Sequence, residues 1–414
     1  MLNRVHIKNV RSCGDVILDG LGRITALVGR NSVGKTNIMR AIDFAAHNSV
    51  NPKSFELHNI SDILPPRPNT AEVNFEFDLN RTIYKYIQAI SISPKSPGPA
   101  GEPQPTQVSL REALNKKNGS SWLPIISREG SAIQFSDGRP EVQIADFTPC
   151  LPAITSLLPP NDALNHTIQP VMNFLRSIHY YPLDEPNVLT AAEAQGFIKH
   201  TDYAQWLLEQ TRGANPVSSV LMRIVHMSQQ MPNDFAELKE LLGPNGLAIL
   251  KDIRVQLIRA ATASPDKGAV KPPDDKSDLF YYLQFLPNLG GNNLRQYSEV
   301  SFGTRRLLRI LASIICDKSL VMLIEQPEDG IHLGLLHKLI SLLHTYADPA
   351  QVILASHSPA VFNGLTPDEI RLVYMRDGTT HLRALTPEEM KGAKNFISEE
   401  GPLSDFIETI ENGD

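Results

Sequence analysis

The chain has 414 residues, of which 42% are hydrophobic and 20% are charged, and its formal net charge is −6. This balance is ordinary for a globular protein, and the length accommodates two or three structural units. The net negative charge provides no overall attraction to nucleic acid, although it is compatible with a local basic patch. No apolar run is long enough to span a bilayer, and the first residues lack the pattern of a signal peptide.

The three cysteines, Cys13, Cys150 and Cys316, are far apart and form no C-x-x-C pair. This odd count and spacing favour neither a disulfide framework nor a zinc site. We therefore expect a protein of the reducing cytoplasm with no membrane contact.

The first predicted elements are three short strands. Residues 4–10 alternate polar and apolar side chains and residues 15–18 form a second strand, so the two predict a hairpin. Residues 24–28 read I-T-A-L-V, which is typical of a buried strand. Apolar residues then recur at helical spacing, at Ile38, Ile42 and Ala46.

A phosphate-binding loop lies between that strand and that helix. Residues 29–36 read G-R-N-S-V-G-K-T, which fits the pattern G-x-x-x-x-G-K-[ST]. Its glycines let backbone N–H groups surround phosphates, while Lys35 can reach the β- and γ-phosphate oxygens and Thr36 can ligate Mg²⁺. The predicted nucleotide-binding residues here are Gly29, Arg30, Asn31, Ser32, Val33, Gly34, Lys35, Thr36 and Asn37.

The middle of the chain is less regular. Residues 71–79 alternate as in a strand, residues 93–106 are rich in Pro, Gly and Ser and predict an exposed loop, and residues 177–182 predict a strand that returns to the main sheet. From about residue 190 to 260 the pattern predicts packed helices, and residues 264–278 predict a mobile loop. The helical positions are Trp206, Leu207 and Gln210, then Val220, Leu221, Ile224 and Val225, then Ile249, Ile253, Leu257 and Ile258.

Three further segments place polar residues at the ends of apolar elements. Ser301 and Gly303 precede a helical run and offer a hydroxyl and N–H groups to an anion, although a serine in this position is more often only a helix cap. Residues 320–324 predict a buried parallel strand whose end carries Glu325 and Glu328, where a carboxylate can hold Mg²⁺. A second such strand, over residues 351–356, precedes His357, which could contact a γ-phosphate or the attacking water.

Together these segments resemble the ABC-type ATPase heads of the RecF/SMC kind and, more narrowly, the bacterial OLD-like ATPases grouped with anti-phage systems. The likeness covers roughly residues 1–80 and 295–375. Residues 29–36 match Walker A, and Glu325 to Glu328 match Walker B and its extension. The remaining matches are Ser301-Phe302-Gly303 to the ABC signature, Gly330-Ile331-His332 to the D-loop, and His357 to the switch histidine.

The resemblance implies an α/β fold: an ABC-type P-loop ATPase head, with a mixed sheet flanked by helices and a largely helical insertion. We expect residues 1–90 to form an N-terminal ATPase lobe with Walker A, and residues 91–175 an insertion of uncertain fold. Residues 176–280 would form a helical insertion or arm. Residues 281–414 would form a C-terminal lobe with the signature, Walker B and the switch histidine.

The resemblance also implies ATP and Mg²⁺ as cofactors, with Thr36 and Glu325 at the metal. The catalytic candidates are Glu325, Gln326, Glu328 and His357. Related heads carry a second acidic residue where this chain has Gln326, and an amide can orient water but cannot take its proton, so slow hydrolysis is expected. Ser301 and Gly303 would act in trans on the ATP of a second copy, which predicts a homodimer or a higher oligomer.

OLD-family nucleases carry a Toprim domain after the ATPase. The residues after His357 predict only a hairpin around Asp377 and an acidic helix over residues 405–411. We therefore expect a separate effector protein, a nuclease or a toxin, that this ATPase controls in anti-phage defence. Two alternatives stay open: a RecF-like ATPase of DNA repair that binds DNA directly, and an ATP-dependent scaffold with little or no hydrolysis.

Overall fold

The computed structural model describes residues 1–51, 70–93, 107–146, 148–182, 190–211, 220–259, 279–289 and 291–413. They belong to two units. The first contains Met1–Tyr181, Ser319–Pro327 and Ile340–Asp414, and the second contains Pro182–Lys318 and Glu328–Leu339. The loops predicted over residues 94–106 and 264–278 lie outside the described residues.

The described strands are, in chain order, β1 (Leu2–Val10), β2 (Cys13–Asp19), β3 (Ile24–Val28), β4 (Thr70–Leu79), β5 (Thr82–Ser93), β6 (Gln107–Asn118), β7 (Ser121–Glu129), β8 (Ala132–Phe135), β9 (Val142–Gln143), β10 (Ile178–Tyr181), β11 (Phe197–Lys199), β12 (Leu250–Arg259), β13 (Leu279–Pro287), β14 (Val321–Glu325), β15 (Gln351–Ser356), β16 (Ile370–Arg376) and β17 (Thr379–Ala384).

The described α-helices are α1 (Lys35–Val50), α2 (Cys150–Leu157), α3 (Ala163–Arg176), α4 (Ala191–Ala194), α5 (His200–Thr211), α6 (Val220–Gln230), α7 (Pro232–Leu242), α8 (Phe302–Asp317), α9 (Leu333–Tyr346), α10 (Pro359–Phe362), α11 (Pro387–Glu399) and α12 (Leu403–Gly413). None of the helices in the described ranges is long and apolar enough to cross a membrane.

The larger sheet of the first unit is antiparallel, with the strand order β2-β1-β4-β5-β6-β7-β8-β9. The predicted hairpin is confirmed as β1 and β2, which pair Val5 with Leu18 and Ile7 with Val16. These four side chains are buried, because the alternation that predicted the strands places every second residue on the core side.

The smaller sheet of the first unit has the order β10-β14-β15-β3-β16-β17 and is parallel except for its last pair. Every residue of β3, β14 and β15 is buried, as expected for strands covered on both faces. The register pairs Ser356 with Val28 and Glu325 with Ala355, so these three strands end at one edge of the sheet.

Helix α1 packs between the two sheets. One apolar core joins Ile7 and Phe75 of the antiparallel sheet, Ile42 of α1, and Leu323 and Ile353 of the parallel sheet. The sheets are also joined by the buried amide of Gln351, whose Oε1 accepts from the Leu2 N–H (2.6 Å) and whose Nε2 donates to the Leu2 carbonyl (3.0 Å). The helix that carries the phosphate-binding loop therefore has fixed support on both sides.

The segment predicted as an insertion of uncertain fold extends the antiparallel sheet through β6–β9 and adds α2 and α3. A fully buried ion pair holds it, because Arg128 Nη1 donates to Glu112 Oε2 at 2.6 Å. Glu112 also accepts from the Tyr86 hydroxyl and from the Cys150 N–H at the start of α2. Arg128 additionally donates to the carbonyls of Ala145, Asp146 and Thr148. Buried charges persist only when they are paired and hydrogen-bonded in this way.

The second unit combines helices with a three-stranded antiparallel sheet of order β11-β13-β12. The helical segments predicted near Trp206 and near Val220 are confirmed as α5 and α6. The helix predicted through Ile249, Ile253, Leu257 and Ile258 is wrong, since residues 250–259 form β12.

The physical reason is that apolar spacing in this segment fits both periods. Positions 249, 253 and 257 suit a helix, whereas 253, 255 and 257 suit a strand, and the Ile and Val residues favour a strand. Pairing with β13 decides, because it matches Ile253 with Phe285 and Leu257 with Tyr281.

Candidate nucleotide-binding site

Three residues follow directly after the aligned strands of the parallel sheet. Gly29 follows β3, Gln326 follows β14 and His357 follows β15. Because the carboxyl ends of parallel strands meet at one edge, residues more than 300 positions apart in sequence converge there. All of these residues belong to the first unit.

The glycines of the loop occupy positions that a side chain could not fill. Gly34 adopts φ +104°, and a Cβ atom there would lie 2.0 Å from Thr380 Oγ1. A Cβ atom at Gly29 would lie 2.1 Å from the Val373 carbonyl oxygen. The backbone can therefore curl closely over the sheet edge only because both positions lack a side chain.

Helix α1 begins directly at the loop, with Gly34 as its N-cap and no side chain among the described residues capping it. Its first backbone hydrogen bond joins the Ile38 N–H to the Gly34 carbonyl at 3.0 Å. The N–H groups of Lys35, Thr36 and Asn37 therefore precede the hydrogen-bonded helix, and they lie at the positive end of its dipole.

Lys35 lies inside the curve of the loop and is 7% exposed. Its ammonium donates to the carbonyls of Gly29 (2.6 Å) and Arg30 (2.7 Å). The loop backbone thus holds a positive charge beside the glycine-lined curve. There the Lys35 ammonium could also donate to phosphate oxygens.

Thr36 and Glu325 form the second part of the site. The Thr36 hydroxyl donates to Glu325 Oε1, and the Tyr180 hydroxyl donates to Glu325 Oε2 at 2.5 Å. Burial and the charge of Glu325 raise the pKa of Tyr180 above its ordinary value, so this hydroxyl keeps its proton and continues to donate. Tyr180 also bonds Arg40, one turn along α1 from Thr36.

Gln326 and His357 lie beside each other at the edge. Gln326 adopts φ +42°, and its N–H donates to the Ala355 carbonyl at 2.7 Å. Its side-chain Nε2 lies 3.4 Å from Nδ1 of the exposed His357. An amide NH₂ only donates, so this contact places the proton of a neutral His357 on Nε2.

These elements enclose a cavity of about 300 Å³. The size is at the lower end of the range for ligand pockets. Its lining residues are Asn31, Ser32, Gly34, Lys35, Thr36, Asn37, Glu325, Gln326 and Ala355.

A hydrogen-bonded support lies behind the loop. Thr380 Oγ1 donates to the Val33 carbonyl (2.9 Å) and lies 2.7 Å from Ser12 Oγ. Ser12 Oγ in turn accepts from the Asn37 side chain at 2.7 Å. Thr380 is fully buried, and its N–H also donates to the Ser12 carbonyl. The turn after β1, which carries Ser12, and the start of β17, which carries Thr380, therefore hold the loop and the first turn of α1 together.

Ser301, Gly303 and Glu328 belong to the second unit. Ser301 caps α8 by accepting from the Thr304 N–H at 3.3 Å, so its role as a helix cap is present in the structure. A Cβ atom at Gly303 would lie 2.2 Å from the Gly330 carbonyl oxygen, and the Phe302 ring packs on Gly330. The signature-like turn and the D-loop-like turn are therefore in direct contact, with Phe302 53% exposed.

A family profile described as "AAA domain, putative AbiEii toxin, Type IV TA system" matches residues 24–146 and 230–363, which is more than half of the chain. The chain belongs to this AAA-domain family. The matched ranges include the phosphate-binding loop, β14 with Glu325, and β15 with His357. No curated protein matches the chain in sequence.

Solved structures extend the comparison to the fold of this AAA-domain chain. The crystal structure of an SMC head bound to the C-winged helix domain of ScpA has a TM-score of 0.50 and 15% identity, covering 94% of this chain and 99% of that one. An SMC head with an extended coiled coil, bound to the C-terminal domain of ScpA from Pyrococcus furiosus, has a TM-score of 0.47 and 13% identity, with coverages of 96% and 99%.

The predicted fold class is confirmed: the chain has the mixed α/β fold of SMC-type and ABC-type ATPase heads. The chain therefore carries an AAA domain with the fold of SMC-type ATPase heads. The domain bounds, the roles of the individual site residues and the narrower likeness to OLD-like ATPases stay predictions.

The sequence missed three residues of this family member's site: Tyr180, Ser12 and Thr380. The apolar and aromatic run at residues 178–181 predicted a strand, but the contact of Tyr180 with Glu325 depends on the pairing of β10 with β14. Ser12 and Thr380 are 368 residues apart, so no local pattern could have joined them.

Proposed function

We propose that this protein binds ATP with Mg²⁺ at the edge of the parallel sheet and hydrolyses it slowly. One observation carries the proposal: the Thr36 hydroxyl bonds Glu325 in the cavity that also contains Lys35. A triphosphate needs a cation for its oxygens and oxygen ligands for its metal, and this cavity supplies both.

The residues fit Mg²⁺. Thr36 and Glu325 present a hydroxyl and a carboxylate oxygen, the hard ligands that Mg²⁺ prefers, and the rest of its shell would come from phosphates and water. Glu325 is 8% exposed and is oriented by Tyr180. The ion, when bound there, would neutralise charge on the phosphate oxygens.

The phosphates would lie against the first turn of α1. The N–H groups of Lys35, Thr36 and Asn37 and the Lys35 ammonium provide donors at one end of the cavity. Gln326 and His357 at the neighbouring strand ends would orient the attacking water. Since Gln326 cannot act as a base, we expect turnover to be slow. Glu328 is the other candidate for a proton acceptor.

We further propose that Ser301 and Gly303 of a second copy cover the phosphates, so that ATP binding joins two copies. Ser301 is exposed and begins α8, and Phe302 is exposed beside it, so this turn can enter an interface. Light scattering should show a dimer when ATP and Mg²⁺ are present and Lys35 is intact. A Ser301→Arg variant should bind ATP but stay monomeric.

The nucleotide state would control a separate effector, a nuclease or a toxin, in bacterial anti-phage defence. The family description names a toxin and a type IV toxin–antitoxin system, which supports a defence setting. The similar SMC head was crystallised with a bound domain of ScpA, so this fold can carry a partner protein. Copurification with the product of the neighbouring gene, with and without ATP, tests this; no association in either state would reject it.

The central test is phosphate release by the purified chain. We expect turnover in Mg²⁺-ATP, and Lys35→Ala should weaken ATP binding about 100-fold by removing a charge-assisted donor. Glu399→Gln, an exposed substitution on α11, is the matched control. Release by the wild type that equals Lys35→Ala would reject hydrolysis and favour the scaffold without turnover.

Gln326→Glu separates slow catalysis from no catalysis. The variant restores a carboxylate at the end of β14, so we expect turnover to rise about tenfold. An unchanged rate would show that Gln326 does not limit hydrolysis.

A further inference from the structure

The three-stranded sheet of the second unit has two unlike faces. Paired residues of neighbouring strands share a face, so the register defines an open face. All of its members are half-buried or exposed. They are Phe197, Lys199, Asp252, Arg254, Gln256, Ile258, Phe280, Tyr282, Gln284 and Leu286. On the opposite face Ile198, Tyr281, Leu283 and Phe285 are buried.

The open face carries aromatic rings where polar residues are the rule. An antiparallel sheet with one buried face normally presents polar side chains on the other. Here the rings of Phe197 and Tyr282 stack at 4.5 Å with an interplanar angle of 12°, and Phe280 meets Phe197 edge-on at 6.4 Å. Half-buried rings on the face turned away from this sheet's buried side form an apolar patch of the kind that marks a binding surface.

Cations flank these rings on both sides. Lys199 on β11 and Arg254 on β12 are exposed and lie on either side of the central strand β13. Arg254 contacts Asp252, but Asp252 also pairs with Lys239 at 2.8 Å, so one carboxylate is shared by two cations. The surface therefore has a local positive excess in a chain whose net charge is −6.

Two amides complete the face. Gln256 on β12 pairs with Tyr282, and Gln284 lies two residues after Tyr282 on β13. Amide groups can donate hydrogen bonds to base edges and accept them. Rings for stacking, amides for hydrogen bonds and cations for phosphates are the combination that single-stranded nucleic acid requires. Protein–protein interfaces, in contrast, are depleted of lysine, which Lys199 supplies here.

We propose that this open face binds single-stranded nucleic acid. Bases stack on Phe197, Phe280 and Tyr282, while the backbone phosphates lie near Lys199 and Arg254. Duplex DNA binds more weakly, because its bases are already stacked inside the helix. The site consists of residues of the second unit, and none of them lines the nucleotide cavity.

The test is fluorescence anisotropy of the full chain with labelled oligo(dT) and oligo(rU) of about 20 nucleotides. We expect binding of both strands at low salt, and weaker binding of a duplex of the same length. Phe280→Ala and Tyr282→Ala should each weaken binding about tenfold, since one stacked base is lost. Tyr282→Phe keeps the ring and should retain affinity.

Leu257→Ala is the matched control, because Leu257 is 54% exposed on the opposite face of the same sheet. It should leave binding unchanged. A second pair, Lys199→Gln and Arg254→Gln, alters only exposed side chains. Each should reduce the slope of log affinity against log salt by about 0.7, because one phosphate contact is lost. This pair keeps the test decisive if removal of a ring lowers the amount of folded protein.

Three outcomes would overturn the proposal. The first is no binding of either single strand at low salt. The second is a failure of specificity, either as equal affinity for the duplex and the single strands or as a loss of affinity in Leu257→Ala equal to that in Phe280→Ala. The third is an oligomer of the wild type that dissociates in Phe280→Ala and shows no oligonucleotide binding, since the face would then join copies of this chain.

Discussion

The parallel sheet of the first unit and the three-stranded sheet of the second differ in the part that is available to a ligand. Strands β3, β14 and β15 are buried along their whole length, so only their ends can meet a ligand. The three-stranded sheet has one half-buried to exposed face, so side chains along the strands are available.

This difference indicates where ligand-binding residues lie in each kind of strand. In a strand covered on both faces, the chemistry lies in the residues that follow it, as Gln326 follows β14 and His357 follows β15. In a strand covered on one face, it lies in alternate residues such as Phe280 and Tyr282. Three predictions test this contrast.

The largest effect is expected for a carboxylate at a strand end. Glu325→Gln keeps the shape of the side chain but removes its charge, so turnover should fall about 1000-fold in a phosphate-release assay with Mg²⁺-ATP. Asp252→Asn makes the same change on the three-stranded sheet and should leave turnover unchanged. An equal loss of turnover in both variants would contradict this contrast between the two sheets.

A smaller effect is expected behind the phosphate-binding loop. Thr380→Val removes the hydroxyl that donates to the Val33 carbonyl, so the KM for ATP should rise about tenfold while kcat stays within about twofold. Thr380→Ser keeps the hydroxyl and should restore the wild-type KM. If kcat and KM both fall, the hydrogen bond from Thr380 to Val33 does not act through ATP binding.

The smallest effect concerns two aspartates with opposite pKa shifts. Burial raises the pKa of Asp43 on α1 to about 7. Burial opposes ionisation of Asp252 too, but Lys239 and Arg254 outweigh it, and its pKa lies below the ordinary value. A raised folded pKa stabilises at low pH and loses that stabilisation as pH rises through about 7, whereas a lowered one stabilises above the unfolded pKa.

Asp43→Asn should therefore raise the melting temperature by about 4 °C near pH 8, and its advantage should shrink toward pH 5. Asp252→Asn should lower the melting temperature at both pH values, because its ionised form is the stabilising one across this range. Differential scanning calorimetry of the two variants and the wild type measures both. Parallel pH profiles for the two variants would contradict the assignment.

The sequence predicted the parallel sheet and its edge because their signals are contiguous. The apolar runs at residues 24–28, 320–325 and 351–356 are strands, and the residues after them converge. The resemblance implied that Thr36 and Glu325 share one metal, and in the structure these two side chains are in contact at this edge.

What the sequence could not predict depends on pairing between distant segments. The apolar spacing of residues 250–259 fits a helix and a strand equally, and only the pairing with β13 distinguishes the two. The open face of the second unit appears only once that pairing is known. As charged residues, Arg128 and Glu112 are expected at the surface, but they form an ion pair inside the core.

The hydrogen bond from Thr380 to the Val33 carbonyl spans 347 residues. During synthesis the ribosome delivers Val33 long before Thr380, so the loop lacks this support until the later segment has emerged. A nascent chain arrested before position 380 should hold ATP poorly even though its entire Walker A segment has emerged. Nucleotide affinity would then report that synthesis has passed position 380.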